Sequence, residues 1–288
     1  MDEVEDSDEY SVSASYNAFA EIYDEIMTSV PYSLWCDYLL FLYRYLGAGS
    51  PERLLELACG TGSMVEQFLR KADIFLIDGL DRSGAMLEKA RHKLSDHHQM
   101  VELSEQDMRS FVLGKNYDLI YSVFDSMNYI LNTDNLKDVF AGAAEHLSED
   151  GLFIFDYNTR SRLKSIEPGY SHFEGEDFTC QWQDIVREEK NIWEVKLTIS
   201  LTGRPGFYRE RHRETAFPLS SLEELLRSQG FKFVRCYDNI SLNRGTEKSS
   251  RVYFVAGLNT PAEPPLSRRA ALRAMWFLKK IRHFVGLS

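Results

Sequence analysis

The chain has no long apolar run. Its apolar runs, such as Leu152 to Phe155, are far too short to span a bilayer. No charged, apolar, small-residue stretch opens it, so no secretory signal is expected. The four cysteines (Cys36, Cys59, Cys180, Cys236) are scattered and form no CxxC pair. That argues against a disulfide framework or a zinc site and for reduced thiols in a cytoplasm. Positive charge is also short: the formal net charge is -11. Such a surface repels nucleic-acid phosphates unless a local basic patch overrides it, so a small molecule or a protein is the favoured partner class. No internal repeat or low-complexity core is visible.

What is present suffices for one sizeable core, or a core with a small accessory lobe, in 288 residues. Charge is unevenly placed. Residues 1–12 read as a solvated acidic tail, whereas residues 268–288 carry Arg268, Arg269, Arg273, Lys279, Lys280 and Arg282 and no acid. From Tyr16 to Leu46 apolar residues recur at helical spacing, with a break at Pro31. Past Gly49-Ser50-Pro51 strands and helices alternate. Strands are expected at Arg53–Leu57, Ile74–Leu80, Tyr117–Val123 and Gly151–Tyr157, with helices through Leu69, at Ser83–Leu94 and at Asn135–Leu147. This alternation predicts a doubly wound α/β fold, a parallel sheet covered on both faces. The rhythm breaks at 178–217. Strict alternation from Trp193 to Thr202, then a turn at Gly203-Arg204-Pro205-Gly206, predicts an antiparallel insertion of about three strands. Ser220 is expected to cap a helix that Gly230 ends, and Phe231–Tyr237 and Arg251–Leu258 supply the last strands.

Three segments carry chemistry. Leu54 to Ser63 runs from a strand into a Gly60-Thr61-Gly62 turn, where missing side chains let a ligand approach the backbone. A dinucleotide site would want a third glycine near position 65, and Val65 stands there. With Glu56 on the strand, the turn suits a ligand that presents no phosphate. Asp81, about 20 residues on, can chelate both ribose hydroxyls. Its other reading, a helix N-cap, is a task Ser83 can perform; Asp78 is the alternative acid, inside the strand. Asp107, in a loop before the Tyr117–Val123 strand, could accept a hydrogen bond from an adenine amino group, with Met86 and Met108 packing on the ring. The alternative is an ordinary acidic loop residue.

ELACGTG (56–62), GLDRSGAMLEKAR (79–91) and EQDMRSF (105–111), in this order and spacing, resemble the signature of class I S-adenosylmethionine-dependent methyltransferases. Tyr117 to Ile120, Phe124 to Tyr129 and the aromatic segment Tyr16 to Asp24 resemble a small-molecule branch of that superfamily. The likeness spans about residues 14–258. It implies a mostly parallel seven-stranded sheet with a helical cover at 13–50, a core at 51–160 and 217–258, and the insertion at 161–216. It implies S-adenosyl-L-methionine as cofactor. Glu56 and the backbone of Ala58, Gly60 and Gly62 would hold its amino-acid end, Asp81 and Arg82 would lie at the ribose, and Met86, Asp107 and Met108 at the adenine. Phe124 would lie beside the methionine portion, with Tyr16 and Tyr23 closing over it. Cys59 stands where the family more often has glycine, a position that accepts small residues.

The activity implied is direct methyl transfer to an oxygen or nitrogen of a small-molecule acceptor. Alternatives are a catalytically silent cofactor-binding module and an NAD-dependent oxidoreductase. The sulfonium is already activated, so no residue is a compulsory catalyst. Substrate-side candidates are Asp125, Asn128, Tyr129, Tyr157, Asn158 and His212, the last a candidate base. Glu210, His212 and Glu214 share one strand face, a pattern more suited to paired sheet faces than to a metal, and no metal is expected. Beyond a linker at 259–265, Ala270, Ala274, Phe277, Leu278, Ile281, Phe284 and Val285 form one helical stripe with the basic residues opposite. Such a helix can lie on an anionic membrane surface, or dock its apolar face on its own domain or a partner.

Overall fold

The computed structural model describes residues 17–47, 49–262 and 264–285, with side chains to His283. The acidic tail, Tyr16 and the side chains of Phe284 and Val285 therefore lie outside the described residues. Helix α1 (Phe19–Ile26) and helix α2 (Tyr32–Tyr45) are separated at Pro31, whose ring cannot continue a helix. Then β1 (Arg53–Leu57), α3 (Ser63–Lys71), β2 (Leu76–Asp81), α4 (Gly84–Lys93), β3 (Val101–Glu105), β4 (Tyr117–Ser122), α5 (Thr133–His146) and β5 (Leu147–Asn158) follow in order. A short helix α6 (Arg160–Lys164) leads into β6 (Gly169–Glu174), β7 (Phe178–Arg187), β8 (Ile192–Leu201) and β9 (Tyr208–Thr215). The chain returns through α7 (Leu219–Ser228), β10 (Phe233–Asp238) and β11 (Arg251–Gly257) and closes with α8 (Leu266–Val285).

Seven strands form one sheet in the order β10-β11-β5-β4-β1-β2-β3, in which β11 runs antiparallel to both neighbours. Successive residues of its strands feed opposite faces. Leu54, Leu119, Ile154 and Tyr253 pack beneath α2 and α3, whereas Leu55, Ile120, Phe155 and Phe254 pack beneath α5 and α7. All eight are at most 1% exposed, so truncating any of them would open a cavity; Phe155→Ala should cost about 3–5 kcal/mol. The insertion is a second, antiparallel sheet, β6-β7-β8-β9, whose inner face (Phe178, Cys180, Val195, Leu197, Ile199) packs on Phe19 and Ile22 of α1.

Two differences from the sequence reading have physical causes. The insertion has four strands instead of about three, because β6 is an edge strand with mostly exposed residues and no apolar alternation to mark it. Ser220 lies inside α7 and caps nothing; the Leu219 amide donates instead to the Glu247 carboxylate at 2.7 Å. Among the described residues, no helix is long and apolar enough to cross a membrane.

The C-terminal helix docks, but not by its aliphatic stripe. Trp276 stacks on Phe41 of α2 (5.1 Å, 12°), and Arg269 and Arg273 lie over the ring of Tyr45. Lys279 and His283 bind Asp37, a buried acid already paired with Lys71. Aromatic stacking and charge-assisted bonds to α2 fix the rotation of α8, and Phe277, Leu278 and Ile281 face outward.

Candidate functional site

A cavity of about 440 Å³ opens where β1, β2 and β4 end, between α1 and the inner face of the insertion sheet. This is the crevice a doubly wound sheet offers to ligands.

At one end the walls are mainly turns. β1 leaves the sheet through Ala58, Gly60 and Gly62, all at positive φ (58°, 53° and 75°). A side chain at Gly62 would also strike Leu94 Cδ1 at 2.8 Å, so this tight turn onto α3 needs glycine. Glu56 points into the cavity from a fully buried position and takes one side-chain hydrogen bond, from the Tyr121 hydroxyl at 3.1 Å. Burial pushes its carboxyl well above the usual range. Asp81 ends β2. Its two oxygens accept from the amides of Ser83 (2.8 Å) and Gly60 (2.9 Å), leaving further lone pairs. Burial raises its carboxyl, and those amides oppose the rise. Ser83 caps α4 by accepting from the Met86 amide, which frees Asp81 from that task. Asp107 is held below the usual carboxylate range by Arg109 bound across it. Arg82, Met86 and Met108 line the same end; Gly62 shapes the turn without lining the cavity. Asp78 is paired with Tyr117 and Lys115, away from the cavity.

At the other end the walls are side chains from distant parts of the chain. After β4, Phe124 and Asp125 both adopt left-handed backbone (φ 60° and 52°), a conformation unfavourable for residues with a Cβ. Both amides donate to Asp156 of β5, at 3.1 and 2.8 Å, and that carboxylate is also held by Arg251. Burial pushes Asp156 up to about 6 despite the adjacent guanidinium. Asn158 donates to Asp125 at 2.6 Å and to Glu214 at 3.5 Å, so Asp125, Asp156 and Glu214 form a buried acidic group around Arg251. Burial raises Glu214 well above its usual range, and Asp125 adds to the rise.

β9 aims Glu210, His212 and Glu214 inward and Arg209, Arg211 and Arg213 outward. His212 Nε2 is 3.3 Å from Glu210, and the ring lies near those of Phe19 and Tyr129. The other Glu210 oxygen accepts from the amides of Ala18 and Phe19, tying the start of α1 to the insertion. The indoles of Trp182 and Trp193 complete the wall, both donating to Asp184 (3.1 and 2.9 Å). Among the described residues, no group of three or more His, Cys, Asp or Glu side chains could hold a metal ion.

Residues 54–151 match the family model for a methyltransferase domain. A solved S-adenosylmethionine-dependent methyltransferase from Clostridium acetobutylicum superposes with a TM-score of 0.70 at 26% identity, over 85% of this chain and 99% of that one. The chain is a class I S-adenosylmethionine-dependent methyltransferase. A Geobacillus sp. (strain WCH70) protein provisionally named a methyltransferase is 26% identical over 246 residues, 84% of this chain and 99% of that one. An amino-sugar N,N-dimethyltransferase from Streptomyces venezuelae is 36% identical over 103 residues, which cover 36% of this chain and 41% of that one. These likenesses favour a methyltransferase over both a silent binding module and an NAD-dependent oxidoreductase.

Most of the residues expected at the site converge in the methyltransferase. Tyr23, Glu56, Ala58, Gly60, Asp81, Arg82, Met86, Asp107, Met108, Phe124, Asp125, Tyr129 and His212 all line the cavity. Asn128 does not. It is fully buried and spends its amide on the carbonyls of Asn158 and Thr215 and the amide of Asn158, bridging β5 to β9. Tyr157 is similarly engaged, accepting from the Phe217 amide, and Asn158 braces the acids from behind. Lining residues that the sequence did not single out for the site include Phe19, Tyr32, Trp182 and Trp193. The alternation of β8 marked Trp193 as facing one way; which face met the cavity depended on how the insertion packs.

Proposed function

We propose that this methyltransferase acts on a small-molecule acceptor through oxygen or nitrogen, and that the preferred nucleophile is an amine nitrogen. The observation that carries the preference is the makeup of the acceptor end. Asp125 and Glu214 stand among Phe19, Tyr129, Trp182 and Trp193, while Arg82 and Arg109, the lysine and arginine side chains in the lining, belong to the cofactor end. Three acids, Asp125, Asp156 and Glu214, around the single Arg251 guanidinium, beside open ring faces, suit an ammonium group. The amino-sugar substrate in the name of the Streptomyces venezuelae relative supports the same reading.

The donor set fits S-adenosylmethionine. Glu56, a buried carboxyl with a hydroxyl for its side-chain partner, would meet the cofactor's ammonium. The backbone of Ala58 and Gly60, shaped by Gly62, would receive its carboxylate. Asp81 has lone pairs left for the ribose hydroxyls, with Arg82 alongside. Asp107 would take the adenine amino group, between Met86 and Met108. Phe124 and Tyr23 would flank the methionine portion. Bound there, the cofactor supplies a methyl group already activated on a sulfonium.

The protein's task is to present a lone pair on the S–CH3 axis at about 3 Å and to exclude water. An ammonium has no lone pair, so a proton must leave first. His212, oriented by Glu210, is placed to take it. The neutral nitrogen, held against the ring faces of Tyr129, Trp182 and Trp193, would then be the acceptor for the methyl group that the cofactor supplies. Glu214, held toward its protonated form, would release its proton when a cation binds beside it, and the braced indoles fix the approach. The experiment is S-adenosylhomocysteine release across a panel of amino sugars and alkylamines against their hydroxyl counterparts. Methylated amine is the expected product; turnover confined to hydroxyl acceptors would overturn the preference. We place this chemistry in a cytoplasm, consistent with four free thiols, and peripherally at a membrane through the C-terminal helix.

A further inference from the structure

We propose that the outward face of α8 is a docking surface for an anionic lipid bilayer. This deepens the peripheral location proposed above and is independent of the acceptor. The argument starts from which side of the helix the fold uses. Arg269, Arg273, Trp276, Lys280 and His283 recur at the spacing of one helical face, and that face meets the domain. Trp276 stacks against Tyr38 as well as Phe41, and Lys279 adds its ion pair to Asp37 from the edge.

The opposite face is Ala270, Ala274, Phe277, Leu278 and Ile281, with Met275 at its margin. Phe277, Leu278 and Met275 are 64%, 63% and 64% exposed, in a helix of 20 residues whose other side is anchored. A contiguous exposed apolar stripe of this kind marks an interaction surface. The anchoring contacts hold it outward.

Charge selects the occupant. Leu266 to Val285 contains six Lys/Arg and no acid, and four of the six, Arg269, Arg273, Lys279 and Lys280, are bound to the domain. Arg268 and Arg282 are exposed beside the stripe. A second copy packed face to face would bring these like charges together across the contact. Acidic headgroups complement them, while Phe277, Leu278 and Ile281 enter the acyl boundary, as a basic amphipathic helix does when it lies in the interface plane.

The experiment is co-sedimentation of the full chain with vesicles of about 30:70 phosphatidylserine:phosphatidylcholine, whose negative surface attracts basic segments, and of phosphatidylcholine alone. Binding to the anionic vesicles is expected, weaker in high salt. It should fall about tenfold or more in the triple variant Phe277→Ser, Leu278→Ser, Ile281→Ser, following the lost apolar contact. Those positions are exposed, and stabilisation by S-adenosylhomocysteine checks that the variant is folded. That control also separates the two proposals, since a silent helix leaves cofactor binding intact. No binding, equal binding to neutral vesicles, binding unchanged in the triple variant, or a dimer in solution that the triple variant dissociates would each overturn the proposal; the last would assign the face to a second copy.

Discussion

At the end of the cavity proposed for the cofactor the chain presents turns that follow parallel strands, with an acid on or just after each strand; at the end proposed for the acceptor it presents one face of a separate antiparallel sheet. The first end is built from near neighbours in sequence. Gly60 donates to Asp81, 21 residues away, within a single strand-helix-strand unit. The second joins Glu210 to Ala18 across 192 residues and Asn158 to Glu214 across 56. One end is local geometry repeated at strand ends, so it can be held fixed while the other varies. The acceptor end depends on tertiary packing, and there stability and specificity draw on the same residues.

The contrast can be broken most severely at Arg251. Arg251→Met should destabilise the protein by about 3–5 kcal/mol, because Asp125 and Asp156 would lose their shared buried counterion. A urea titration reads this directly; a change below about 1 kcal/mol would show that the acids do not depend on it. Next comes the separation of the two ends. S-adenosylhomocysteine at 100 times its dissociation constant should add about 2.7 kcal/mol to the wild type. Asp81→Ala should lose most of that. His212→Gln should keep it while lowering kcat on an amine acceptor by about 100-fold. Thermal unfolding beside turnover distinguishes these outcomes, and equal loss of cofactor binding in both variants would refute the division.

The smallest effect is in pH. Asp156 and Glu214 have raised carboxyls in the folded state, so the native protein binds more protons than the unfolded chain above the unfolded values of 3.8 and 4.5. Their contribution to stability is therefore complete below those values and declines as pH rises, for Asp156 through about 6. Glu214→Gln should flatten part of that decline between pH 4.5 and 7 in denaturant titrations. An unchanged slope would mean that Glu214 is ionised in the fold.

The same contrast explains what could be read from the sequence. Asp81 stood out by its distance from the glycines, and Ser83 by its place before a helix; both features are local. The central parallel strands β1, β2, β4 and β5 were legible because they are largely buried on both faces and read as apolar runs; β3, half-exposed at the sheet edge, was not among the strands expected. Nor was β6, since an edge strand need bury little. Asn128 sits in a segment that resembled the small-molecule branch, but its amide serves backbone carbonyls, a choice made by the approach of β9. In α8 the periodicity was plain and the docked face was not. Stacking of Trp276 on Phe41, with Asp37 and Tyr45 as anchors, outweighs the aliphatic stripe, and none of those partners is near α8 in sequence.

Helix α1 touches both halves. Asp24 accepts from the Thr61 hydroxyl at 2.6 Å and pairs with Lys93 beside the glycine turn, while Phe19 rests on His212 and Trp182. One eight-residue helix thus walls both ends of the cavity. Displacing α1 would open the two ends together, because the contacts that hold it to the glycine turn and to the insertion lie on the same two turns of helix.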